Sequence, residues 1–141
     1  MRYKLALSCL LIMFLFTPNA LAQPNASGQV EIFDIKQEQV VKTRPVNPAI
    51  EKEAKTYLTN ITDLYRKASP IPKEGFMIKI PLEPAVQLQN QWMNEPVDQV
   101  IVVVGEKEKP FLLVLDKQNQ ARLFTFKGDV NELLKLLDYT P

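Results

Sequence analysis

The chain is 141 residues long, 46% hydrophobic and 23% charged, with a formal net charge of +1; that suffices for one ordinary globular domain and falls short of two. It has no histidine, one cysteine and four glycines, so imidazole metal sites, histidine-dependent triads and glycine-rich phosphate cradles lack their raw material. Near-neutral charge also denies it the concentrated basic surface that nucleic-acid binding needs, and neither a nucleic-acid partner nor a cofactor is expected.

The first 22 residues read as an export signal. Arg2 and Lys4 charge the start, Leu5 to Phe16 is apolar apart from Ser8 and Cys9, and small residues precede a cut between Ala22 and Gln23. Pro18 and Asn19 interrupt the run well before the roughly 20 apolar residues that a membrane-spanning helix requires. Trimming removes two cations, no acid and the only cysteine. The mature protein is then close to neutral, has no disulfide and depends on packing alone for its stability. A cysteine-free exported domain points to a secreted or extracytoplasmic envelope location, of bacterial type.

Residues 23–46 read as a flexible leader carrying one imperfect strand, Gln29 to Lys36, and an edge strand or linker up to Pro45. Residues 47–141 read as a single α+β domain. A long helix is predicted from Pro48 to Lys67: Asn47 can cap it, Pro48 suits its first position, and Ile50, Ala54, Tyr57, Leu58, Ile61, Leu64 and Tyr65 share one stripe. Strands follow at Phe76–Ile80, stopped by Pro81 and Pro84, and at Ala85–Trp92, which alternates apolar and polar residues. Val100–Val104 and Phe111–Leu115 are apolar without alternation, as in strands covered on both faces, and Ala121–Lys127 completes a meander. Asp129 and Glu132 open a short last helix with Leu133, Leu134 and Leu137 on its buried side. The expected fold is a mostly antiparallel sheet of four to five strands, with one long N-terminal helix and one short C-terminal helix packed on it. The two helices should lie on opposite faces, or both on one face with a partner subunit covering the other.

Without histidine, a carboxylate pair is the simplest catalytic device open to this chain. Glu83, Glu95, Asp98 and Asp116 all fall near strand ends, but no spacing forces two of them together. No catalytic or metal-binding residue is assigned. The stretch Trp92, Met93, Asn94 and Glu95 carries the only tryptophan and is a candidate binding patch for a peptide or a sugar ring; the competing role for Trp92 is to close the end of the core.

Pro110–Leu115, a polar turn, Ala121–Phe126, Gly128 and a leucine-rich helix resemble the closing strand–strand–helix unit of the thioredoxin fold over about 30 residues. The C-x-x-C pair of that family is absent, so no redox role is implied. A strand, a long helix and then antiparallel strands is also similar to cystatin-like domains, which implies protease inhibition; Gln99–Gly105 stands where that family has Q-x-V-x-G and is two residues longer.

The expected function is an exported, non-enzymatic module that binds a protein or a cell-envelope component through a sheet edge or the Trp92 region, homodimerisation being possible. The alternatives are a small carboxylate-dependent hydrolase acting on envelope polysaccharide, and a protease-inhibitor-like or structural partner protein.

Overall fold

The computed structural model describes residues 28–67 and 71–141, so the predicted export signal and its cut between Ala22 and Gln23 lie outside the described residues. In chain order the elements are β1 (Gln29–Asp34), β2 (Gln39–Pro45), α1 (Pro48–Thr59), β3 (Ile61–Leu64), β4 (Gly75–Gln89), β5 (Asn94–Gly105), β6 (Phe111–Leu115), β7 (Ala121–Phe126) and α2 (Asn131–Leu136). The strands form one antiparallel sheet in the order β2-β1-β4-β5-β6-β7-β3.

This corrects the expected sheet of four to five strands with a long helix: among the described residues there are seven strands and two short helices. Three effects account for the difference. The predicted helix to Lys67 stops at Asn60, whose backbone N–H bonds back to the carbonyls of Thr56 and Tyr57. Beyond it, Ile61 to Leu64 pair with Phe124 to Phe126 as an edge strand. Ile61, Leu64 and Tyr65 satisfy helical spacing equally well, but the β-branched Ile61 and Thr62 suit a strand, and a free edge of β7 was there to pair with. Gln39–Pro45 likewise settles as an edge strand on β1, with a bulge opposite Ile32 and Phe33. Finally, Pro81 and Pro84 do not end a strand; both lie inside β4. On one side, β1 pairs only with Phe76 to Lys79, so at the prolines β4 has no neighbour there, and their missing N–H groups cost no ladder bond on that side.

Strand alternation sorts the side chains onto two faces. Ile32, Ile78, Val102, Leu112 and Phe124 are successive cross-strand partners from β1 through β4, β5 and β6 to β7. All five are at most 1% exposed, and they form the floor of the core. Helix α1 docks on this floor through Ile50, Ala54, Tyr57 and Leu58, and α2 through Leu133 with Leu137 just beyond it. Asn47 caps α1, its Oδ1 accepting from the Ile50 N–H at 2.9 Å. The Tyr57 hydroxyl donates to the Asp129 carbonyl at 3.1 Å, tying the two helices together. Burial, and then the negative charge of Glu53, push that phenol well above its ordinary pKa; it stays a neutral donor.

The ends of β4 and β5 run past the rest of the sheet as a two-strand arm, Val86 to Gln89 against Asn94 to Val97, after a register break beyond Pro81. Leu82, Leu88, Met93 and Val97 join the same core. The arm therefore curls toward the helices and closes that end of the floor. At the opposite end, β4 begins at Gly75, with φ +124°, where a Cβ would lie 2.0 Å from the Val104 carbonyl oxygen; only glycine fits.

Replacing Phe124 by alanine should cost about 3–5 kcal/mol, because it opens a cavity at the end of the buried row. Thr62→Ala on the exposed edge strand should cost less than about 1 kcal/mol. Urea unfolding of both variants checks the ranking.

Candidate functional site

The candidate patch at the tip of the arm is held by its own turn. Asn90 Oδ1 accepts from the backbone N–H groups of Trp92 at 2.9 Å and Met93 at 3.0 Å. Met93 is buried, and Trp92 is half-buried with its ring tilted against Phe124 at a centroid distance of 5.9 Å. Asn94 is exposed and accepts from the Gln87 side-chain amide at 2.7 Å. Glu95 accepts from the Lys117 N–H at 2.8 Å, which ties the arm to the β6–β7 turn. Of the four residues, two pack inward and two are hydrogen-bonded within the protein.

The four carboxylates do not converge as a group. Glu83 is exposed in the bend of the arm and Glu95 is engaged as described. Asp98 and Asp116 do border one open hollow, of about 400 Å³, with Lys117 and Asn119. Asp116 is nevertheless committed: its Oδ1 accepts from the N–H groups of Gln118 and Gln120, both at 2.9 Å, and its Oδ2 from Arg122 Nε at 3.1 Å. The Gln120 N–H foremost, then the Gln118 N–H and the Arg122 guanidinium, hold its carboxyl below the usual range against the opposing effect of burial. A carboxylate so stabilised in its charged form is a poor proton donor, and its bonds build the β6–β7 turn. Among the described residues there is no cluster of three or more acidic or thiol side chains able to hold a metal ion. Gln99–Gly105, the stretch compared with the cystatin loop, is the body of β5, paired to both β4 and β6. It is not a projecting loop.

The largest unbalanced feature is the face of the sheet that the helices leave open. Both helices pack on the same face, and among the described residues no helix covers the other face. Glu31, Lys79, Ile101, Leu113 and Leu123 form one row across it, and Phe33, Met77, Val103 and Phe111 the next. Tyr65 and Pro72, described residues between β3 and β4, shield the second row at one end. Tyr65 stacks on Phe111 with ring centroids 3.9 Å apart, and Pro72 lies against Gly105. Val103 and Phe111 are consequently buried. Burial, together with its hydrogen bond to Glu108 at 2.8 Å, pushes the Tyr65 hydroxyl up to about 12.

What remains open is Phe33, Met77, Ile101, Leu113 and Leu123, each half-buried. Beside them the Glu31–Lys79 ion pair lies 3.2 Å across the strands. Sequence reasoning did not single out these residues as a site. The available signal was the lack of alternation in Val100–Val104 and Phe111–Leu115, which demanded cover on both faces. Comparison with known protein families, with curated proteins and with solved structures returns no match.

The depressed carboxyl of Asp116 sets a pH dependence. Its folded-state pKa lies below the unfolded value of about 3.9, so its contribution is present above that value and is lost as pH falls through the folded one. Urea unfolding of wild type and Asp116→Asn should differ at neutral pH and converge progressively as pH falls from about 5 toward 2.

Proposed function

We propose that this protein is an exported, non-enzymatic binding module, and that its binding surface is the open face of the sheet centred on Ile101, Leu113 and Leu123. The observation that carries this reading is the asymmetry of cover: two helices and a curled arm on one face, and a row of half-buried aliphatic side chains on the other. Contiguous apolar surface of this kind gains free energy when a partner excludes water from it, by about 25 cal/mol per Å² covered.

Support also comes from the polar groups. Glu95 accepts from the Lys117 N–H, and Asp116, which borders an open hollow with Asp98, is saturated with donors. Hydrolysis by Asp98 and Asp116 would need one of them to remain protonated near neutral pH, and the bonds to Asp116 favour the opposite. The tryptophan patch is a secondary contact in this reading, since the indole already packs on Phe124.

The test is capture from envelope extract by the immobilised domain. Leu113→Lys should abolish capture, Trp92→Ala should weaken it at most a few-fold, and Asp98→Asn should leave it unchanged. Retention of every captured protein by Leu113→Lys would refute the assignment of the face. Turnover of envelope polysaccharide that is lost in Asp98→Asn would refute the non-enzymatic reading.

A further inference from the structure

We propose that the hollow between the β5–β6 turn and Tyr65 is an anion site that takes a phosphate monoester. It involves none of Ile101, Leu113 and Leu123 and goes beyond the binding role given to them.

The turn that joins β5 to β6 reads Glu106, Lys107, Glu108, Lys109, Pro110, and its central residue is pinned. Glu108 Oε2 accepts from the Tyr65 hydroxyl at 2.8 Å, and Oε1 pairs with Lys67 Nζ at 3.4 Å. Tyr65 is fixed in its turn by the stack on Phe111. The Tyr65 hydrogen bond foremost, with Lys67 assisting and burial opposing, holds the Glu108 carboxyl below its usual range. It remains an anion and an acceptor. Lys107 and Lys109 flank it in sequence, and both are exposed. Together with Tyr65, Lys67, Glu108 and Pro110 they border an open hollow of about 370 Å³.

Charge in this hollow is unbalanced. Three ammonium groups line it with one carboxylate, and that carboxylate is already occupied by Tyr65 and Lys67. The other nearby acids are engaged elsewhere: Asp63 pairs with Arg66 at 3.7 Å and Glu74 with Lys36 at 3.1 Å, while Glu106 borders a separate hollow with Pro72 and Glu74. Among the described residues neither Lys107 nor Lys109 forms an ion pair. Three lysines against one glutamate leave a surplus of two positive charges on one side of a nearly neutral chain. A phosphate monoester near neutral pH carries about −1.5 to −2 and presents three acceptor oxygens, which matches the surplus. A carboxylate brings at most one negative charge. Lysine serves such groups as a mobile point charge, and an anion between Lys107 and Lys109 relieves their mutual repulsion. The volume falls in the range of small-molecule sites, and Tyr65 and Pro110 offer apolar wall to the organic part of an ester.

The test is a titration of the protein with phenyl phosphate at low ionic strength, followed through backbone amide resonances. Saturable shifts should fall on Tyr65 and on Lys107 to Lys109, with a dissociation constant on the order of 1 mM that weakens as salt is added. Benzoate should bind at least about three-fold more weakly. Lys107→Gln and Lys109→Gln should each weaken phenyl phosphate by about three- to five-fold. Glu108→Gln, which raises the surplus to three, should tighten it by about two-fold. Lys52→Gln on α1 is the control for overall charge and should change nothing. Shifts spread evenly over the surface lysines would overturn the proposal, as would a Lys52→Gln effect equal to that of Lys107→Gln. Should Glu108→Gln loosen the turn, the two exposed lysine variants still decide the matter. Co-sedimentation with phosphatidylcholine vesicles, with and without phosphatidic acid, separates the two sources of such a group. Capture that needs phosphatidic acid and is lost in the lysine variants assigns a lipid headgroup; no capture with phenyl phosphate binding intact assigns a soluble ester. Binding to neither would remove the site.

Discussion

Five side chains standing next to one another across five strands, Ile32, Ile78, Val102, Leu112 and Phe124, are the contact on which the other elements of this protein are assembled. None exposes more than 1% of its surface. Burying each contributes about 1.5–3 kcal/mol, and with a single cysteine in the chain no intramolecular disulfide substitutes for it. The row also dictates what lies above it. Two amphipathic helices and the tip of a long hairpin all dock on this one face, and Tyr57 joins the helices through the Asp129 carbonyl.

Committing every covering element to one face leaves the other exposed. Because successive residues of a strand point in opposite directions, the residues beside the buried row, Glu31, Lys79, Ile101, Leu113 and Leu123, are bound to form a row of their own on the reverse side. Tyr65 stacks on Phe111 and Pro72 lies against Gly105, and Val103 and Phe111 are buried. The open surface is thus a direct product of the register, which leaves Ile101, Leu113 and Leu123 only half-buried.

Parts of this were legible in advance because they are local. Asn47 and Pro48 announce a helix start, since an amide cap and a fixed φ act on the adjacent turn alone. Phe111–Leu115 and Ala121–Phe126 are visible as strands because turn residues bound them. The end of α1 was not legible. Ile61, Leu64 and Tyr65 continue the helical stripe in sequence, and only the presence of β7 alongside turns them into a strand. Pro81 and Pro84 misled for a related reason: a proline's cost in a strand depends on whether a neighbour needs its N–H, and that is a fact about β1, some 50 residues away. For Trp92 the sequence leaves two roles open, since an aromatic side chain at a strand end has the same local signature whether it faces solvent or, as here, Phe124.

What the sequence by itself determined is the set of groups available: no imidazole, acids and lysines in near balance, two strands too apolar for one wet face, and one helix start marked by its cap. These follow from residue identity and from interactions within a turn or two. Only the tertiary structure decided the number of strands, the side on which the helices lie and the residues left open, because each of those is set by pairing between segments far apart in the chain. Whether Leu113 faces the core or water is a matter of register against β5 and β7, and a shift of one residue would exchange it with Leu112.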